Sequence, residues 1–227
     1  MCAEIYSNDK FISQIQVFMK TDSLDSTFSH SDVEIEQVET VFQGFFKMER
    51  YTLKHRLYAG GWSNTFQREM MERGNAAGIL LYDPKLDQVV LVEQFRIGAM
   101  ASSGTSPWVL EIVAGMIDTE QSAQQVAERE AVEEAGLVVK RLKAINSFMP
   151  GAGGLSERIF LFVGEVDSSK AGGVHGLEYE NEDILVKVLS REQAYSGVVQ
   201  GQIDNAAAVI ALQYLQLNHM HLREQWS

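Results

Sequence analysis

The sequence predicts an α/β fold preceded by a small antiparallel sheet, on three observations. Residues 33–73 break into short segments of period-two alternation, the pattern of half-buried strands. Residues 76–82 and 88–96 are almost unbroken apolar runs, which marks strands covered on both faces. Residues 122–136 carry the start and stop signals of a helix, with helical spacing between them. The length of 227 residues suits a core domain with a smaller companion, and 45 % hydrophobic with 22 % charged residues is a globular composition. The expected organisation is an N-terminal extension at 1–30, a β-sheet domain at 31–73 and the main domain at 74–227.

In the extension, the apolar piece 11–18 can pair as a strand and the Ser/Asp-rich run 21–30 reads as linker. Alternation then gives strands at 33–41, 45–57 and 64–70, with Gly60 and Gly61 as a turn between the last two. Three strands alone are marginal, so this sheet should pack on the main domain or on a second subunit. In the main domain, 76–82 and 88–96 are joined by the turn Asp83-Pro-Lys-Leu-Asp87. A Ser/Gly-rich loop at 102–107 leads to a strand at 108–113 that runs into Ala114 and Gly115. Ser122 with Gln125 three residues on is a capping box, and Gly136 closes the helix it opens. Strands at 142–148, 159–166 and 184–189 follow, separated by a Gly-rich loop at 150–157 and an acidic loop at 170–183. Ser190 starts a short helix by the same capping pattern, and Asp204 is placed to cap a last, apolar helix from 205 to about 220.

The formal net charge of −12 argues against broad nucleic-acid or anionic-membrane binding, because affinity for a phosphate backbone comes from clusters of Lys and Arg. An anionic small substrate would need local help from metal ions and particular arginines. No apolar run approaches the ~20 residues that span a bilayer. The first ten residues lack a basic region followed by an apolar stretch, and the single Cys2 has no internal partner, so the expected compartment is the cytoplasm.

The chemistry concentrates on helix 122–136, which holds Arg129, Glu130, Glu133 and Glu134. At roughly 100° per residue, Glu130 and Glu134 lie one turn apart on one side, with Glu133 beside them. Like charges so placed destabilise a bare helix by a few tenths of a kcal/mol per pair, so either solvent screens them or a cation sits between them. Mg²⁺ suits the second case, since it takes oxygen ligands and typically pairs one or two carboxylates with substrate phosphates.

Residues 115–137 resemble the Nudix box, Gly-x5-Glu-x7-Arg-Glu-U-x-Glu-Glu-x-Gly-U, where U is a bulky aliphatic residue. Gly115, Arg129, Glu130, Glu133, Glu134, Gly136 and Leu137 match in register. Gln121 stands where the box has its first Glu, and Ala131 is smaller than the usual aliphatic. Outside the box, Glu72-Arg-Gly-Asn-Ala-Ala77, Glu93-Gln-Phe-Arg96, Pro107 to Gly115, Ser156-Glu-Arg158 and His175 to Asp183 are similar to the bacterial branch of the Nudix hydrolase family that acts on ADP-ribose.

That resemblance, which runs over 33–226, implies an α/β/α sandwich with a mixed sheet as the Nudix hydrolase catalytic domain, and a dimerisation role for the sheet at 31–73. It implies hydrolysis of ADP-ribose to AMP and ribose 5-phosphate by a homodimer using Mg²⁺, with Mn²⁺ able to substitute. Glu130 and Glu134 match the carboxylate ligands of the metal and Ala114 its backbone-carbonyl ligand, with Glu133 a further ligand or a supporting group. Glu180 matches the catalytic base, and Glu157 is the alternative base or an additional metal contact. Arg96 matches a phosphate-facing arginine. Arg68 and Glu69 match residues at the adenosine end that reach the other subunit's site, their plainer reading being cross-strand surface pairing. Arg129 is expected to face away from the carboxylates and to hold the helix or orient Glu residues through hydrogen bonds. Gln121 is expected in a support role.

Two other readings compete. Another nucleoside diphosphate sugar is the first, because the box reads only metal and diphosphate. A non-catalytic ADP-ribose-binding regulator is the second. It predicts missing carboxylates or an attached DNA-binding module, whereas Glu130, Glu133, Glu134, Glu157 and Glu180 are all present and no basic helix-turn-helix region is evident.

Overall fold

The structure is a computed structural model that describes residues 24–102, 104, 106–118 and 120–226, with the side chain of Glu180 excepted. The strand expected at 11–18 lies outside the described residues. Two compact units are present: the described residues up to Val38 with Tyr51–Gln67, and Glu39–Arg50 with the described residues from Arg68 onward.

Strands β1 (Val33–Gln43), β2 (Lys47–His55) and β3 (Phe66–Glu72) form the small antiparallel sheet in the order β1-β2-β3, where alternation placed them. Gly60 and Gly61 turn the chain between β2 and β3 at φ +91 and +79, a region open to glycine at no steric cost. In the smaller unit, Lys54 pairs with Glu34 at 2.8 Å and the Thr65 hydroxyl donates to Glu36 at 2.8 Å.

The larger unit is built on an eight-stranded mixed sheet. Its strands are β4 (Asn75–Asp83), β5 (Gln88–Phe95), β6 (Trp108–Glu111), β7 (Val113–Ile117), β8 (Arg141–Phe148), β9 (Ile159–Glu165), β10 (Val174–His175) and β11 (Ile184–Ser190). The main path runs β10-β11-β5-β4-β9-β8, with β4 and β9 parallel and the other neighbours antiparallel. After the turn, β4 and β5 pair only over Leu81–Asp83 and Gln88–Val90, and then part. Into the opening go β6, on β5, and β7, on β4. The single strand expected at 108–113 is therefore two, because the chain changes partner at the buried Ile112.

Helices cover both faces. On one, α2 (Ala123–Ala135) places Val126, Ala127, Ala131 and Ala135 against Ile79, Val90, Val92 and Val113. On the other, α3 (Arg191–Val199) and α4 (Ala206–Trp226) pack Ala194, Leu212, Leu215 and Leu222 against Leu80, Leu91, Leu161 and Val163. The short α1 (Ile97–Ala101) was not expected, since five residues carry too little periodicity to register.

The last helix differs at both ends from the expectation. Asn205, not Asp204, supplies the cap: its Oδ1 accepts from Ala208 N–H at 3.1 Å while its Nδ2 donates to the carbonyl of Leu110 at 2.8 Å. At the far end α4 continues to Trp226 because Leu222 and Trp226 are buried and Arg141, paired with Glu165, donates to the carbonyls of Gln225 and Trp226. A guanidinium on the last carbonyls stabilises a helix C-terminus.

Candidate active site

Local chemistry fixes α2 before any ligand is considered. Ser122 Oγ accepts from Gln125 N–H at 3.3 Å and Gln125 Oε1 accepts from Ser122 N–H at 2.9 Å, which closes the capping box. Gly136, at φ +66, ends the helix with its N–H on the carbonyl of Val132 and that of Leu137 on Ala131, both at 3.0 Å. The alanines on the inner face let the helix lie close to β7. Glu130 and Glu134 are drawn in with them.

Glu134 is 3 % exposed and its Oε2 accepts from the backbone N–H of Ala114 at 3.3 Å. In an antiparallel strand a residue's N–H and C=O point to the same side, so Ala114 also presents its carbonyl on the side of Glu134. Glu130 crosses the neighbouring Gly115, where an added β-carbon would meet its carboxylate at 1.9 Å. Burial, and next the Glu130 charge, push the Glu134 carboxyl up to about 8. Burial raises Glu130 as well, against the opposing Arg129 guanidinium, and Glu133 and Glu182 add to the rise.

Arg129 does not face away from this cluster. Its Nη2 lies 2.9 Å from Glu130 Oε1, its Nη1 donates to Glu133 Oε2 at 2.5 Å, and its Nε donates to Gln121 Oε1 at 3.2 Å. The guanidinium fork is wide enough to gather three acceptors, which helical angle alone did not reveal. The orienting hydrogen bonds expected of Arg129 are present, and Gln121 is one of its partners.

Two further acids stand by the cluster. Glu111, on β6, takes the Arg96 Nε at 2.6 Å, and the Arg96 charge reaches Glu134, whose carboxyl it lowers. Glu182 raises both Glu130 and Glu134 through its charge, and its Oε2 accepts from Leu177 N–H at 3.1 Å. An open hollow of about 500 Å³ is walled by His175, Gly176, Glu178 and Glu182 among others. Alternation along β5 puts buried Gln94 on the face of Val92 and Arg96, and its Nε2 has no hydrogen-bond acceptor among the described residues. The sequence reading gave no role to Glu111, Glu182 or Gln94. All three lie in segments that carried the resemblance, and Glu182 stands besides in the acidic loop.

Other expected site residues sit on elements of their own. Glu157 is 5 % exposed and its Oε1 is 3.4 Å from Arg73 Nε, while Arg73 also covers the Phe46 ring at 5.2 Å. Glu69 pairs with Arg50 of β2 at 3.1 Å, the cross-strand arrangement of the plainer reading, and Arg68 beside it is exposed. Glu180 lies on a one-turn 3-10 helix, Glu178–Glu180.

A pair of carboxylates raised above their ordinary range beside a free-facing carbonyl is a donor set of hard oxygens short of positive charge. No group of three or more His, Cys, Asp or Glu among the described residues is arranged to hold a metal. Mg²⁺ does not require one, since it keeps several waters and uses one or two carboxylates. The residues present fit such an ion.

A mixed sheet opened by two inserted strands, with a carboxylate-bearing helix after the second, defines the class, and the NUDIX domain family matches residues 72–208. The chain belongs to the Nudix family. It is 54 % identical over 209 residues to the ADP-ribose pyrophosphatase of Escherichia coli (strain K12), covering 92 % of this chain and 100 % of that one. A second ADP-ribose pyrophosphatase, from Haemophilus influenzae (strain ATCC 51907 / DSM 11121 / KW20 / Rd), is 50 % identical over 201 residues, with 88 % and 93 % covered. Among solved structures, that of an ADP compounds hydrolase superposes with a TM-score of 0.65 at 20 % identity, covering 88 % of this chain and 98 % of that one. At that identity the likeness speaks to the fold alone.

Proposed function

We propose that the protein is a Mg²⁺-dependent hydrolase that cuts the diphosphate of ADP-ribose with water to give AMP and ribose 5-phosphate. The observation that carries this reading is the buried Glu134, bonded to the backbone of Ala114 and set one helical turn from Glu130, which lies across Gly115. The two relatives named for ADP-ribose, matched over almost their whole length, support the substrate.

Glu130, Glu134 and the carbonyl of Ala114 would hold the ion, with the Glu182 charge near enough to act on both carboxylates. When bound, the divalent cation neutralises the diphosphate and makes water a better nucleophile. Arg129 orients Glu130 and Glu133. Arg96 would turn its forked donors to a phosphate, exchanging Glu111 for substrate oxygens. Glu180 is assigned the base that takes the proton from the attacking water, and the ion-paired Glu157 is set aside for that role.

The sheet at 31–73 is assigned to dimerisation and 74–227 to catalysis, in a cytoplasmic homodimer whose Arg68 and Glu69 serve the adenosine end. Support for the dimer comes from β1, an edge strand of the small sheet on which Ile35, Val38 and Phe42 are exposed. No described helix is long and apolar enough to cross a membrane.

The test is steady-state hydrolysis with Mg²⁺, with products identified by chromatography, for ADP-ribose beside other nucleoside diphosphate sugars. ADP-ribose is expected to have the highest kcat/KM. A competitor preferred by about tenfold or more would replace it as substrate. Sedimentation at micromolar concentration checks the dimer, and a monomer mass removes it.

A further inference from the structure

The acidic loop is braced on the helix that carries the carboxylates, and one side chain makes the brace. His175 sits on the edge strand β10, paired with Ile184 of β11. Its ring lies on the Cα of Gly136, where an added β-carbon would be 2.6 Å from Cε1. The ring Nε2 is 2.9 Å from the carbonyl of Gly172, a contact in which Nε2–H donates. Gly136 thus serves two purposes, the left-handed backbone that ends α2 and the open space that admits the imidazole.

Beyond His175 the chain closes on itself. Gly176, at φ +104, is so near Glu182 that a β-carbon would be 2.7 Å from that residue's own Cβ. Leu177 N–H donates to Glu182 Oε2 at 3.1 Å, Glu182 N–H to the carbonyl of Leu177 at 3.3 Å, and Asn181 N–H to Glu178 at 3.1 Å. The loop from 176 to 182 is therefore a small closed ring of chain with Glu182 as its clasp. It joins the rest of the fold through β10, and beside it Val186 N–H donates to the carbonyl of Gly173 at 3.0 Å.

We propose that His175 is a positioning residue: wedged between Gly136 and Gly172, it fixes how deeply the loop bearing Glu180 and Glu182 reaches towards Glu130 and Glu134. The proposal rests on the reading of Glu130 and Glu134 as the cation site. It differs from a packing role in one respect. The ring touches the end of the ligand-bearing helix and the root of the loop at once, so losing it frees the loop and leaves the core intact.

Amide hydrogen exchange on the metal-free protein reads the loop directly. In His175→Ala the amides of Leu177, Asn181 and Glu182 should exchange about tenfold faster than in the parent chain, with those of α2 still protected. Isothermal titration with Mg²⁺ alone should show about tenfold weaker binding. His175→Gln, which keeps an N–H donor for Gly172, should recover most of both losses. In ADP-ribose hydrolysis the loss should fall on kcat, with KM moving by less than about threefold. Gly136→Asn tolerates the left-handed backbone but fills the space of the ring, so it should reproduce His175→Ala and add nothing to it in the double mutant.

Unchanged loop exchange together with unchanged Mg²⁺ binding in His175→Ala overturns the proposal. So does exchange that rises equally through α2 and the sheet, the signature of general loosening. If His175→Ala does not fold, His175→Gln and Gly136→Asn carry the same measurements. A parent chain that binds Mg²⁺ but leaves ADP-ribose intact removes the substrate reading only, and the exchange and titration still decide the part played by His175.

Discussion

Glu130 lies across the Cα of Gly115: a β-carbon there would stand 1.9 Å from its Oε1 and 2.6 Å from its Cγ. The conflict is with the outer part of a flexible side chain, so an added methyl would displace the carboxylate rather than the fold. Gly115→Ala should lower kcat about a hundredfold while changing stability by less than about 1 kcal/mol. Activity within about threefold of the parent would show that Glu130 need not lie where it does.

Glu134 makes stability depend on pH in the metal-free protein. Its folded pKa, about 8, is above the ordinary 4.5. The folded state therefore holds a proton that the unfolded state has lost, and stability is full below the unfolded value and falls as pH rises from 4.5 through about 8. Thermal melts from pH 5 to 9 should show this decline, Glu134→Gln should flatten it, and added Mg²⁺ should offset it at pH 8 in the parent only. An equal slope in Glu134→Gln would assign the decline to other groups.

Gln121 accepts from Arg129 Nε at 3.2 Å, a contact that suits a support role. Gln121→Glu would add a charge to that contact beside carboxylates that Arg129 already serves. Turnover should stay within about tenfold and the melting temperature should shift by only a few degrees. A gain in kcat of about two orders or more would make this position part of the reaction itself.

Glu180→Gln and Glu157→Gln separate the two candidates for the base. Loss of the base should cost about two orders or more in kcat. Glu157→Gln should cost less than about tenfold in kcat, and about 1–2 kcal/mol of stability, because it leaves Arg73 without its charged partner. The reverse ranking would move the base to the Gly-rich loop.

Much of the fold was legible because its signals are local. Ser122 with Gln125, Gly136, and Ser190 with Gln193 marked helix ends from residues within a turn of one another. Apolar continuity in 76–82 and 88–96 marked the central strands, which are buried on both faces. The break at Ile112 was hidden because nothing local distinguishes one strand from two on different partners. At the last helix, Asn205 displaced Asp204 as cap because it also binds the carbonyl of Leu110, 95 residues away in sequence.

The sequence by itself determined most of the secondary structure and the crowding of Glu130, Glu133 and Glu134 on one side of a helix, since spacing along a chain fixes angle around its axis. Tertiary structure alone decided which acids share that site. It brought Glu182 to Glu130 and Glu134, Arg96 to Glu111 and Glu157 to Arg73, and it turned Arg129 inward. Apart from the turn of Arg129 on its own helix, these meetings join distant segments. Sheet register and loop closure set them, and neither is written in local spacing.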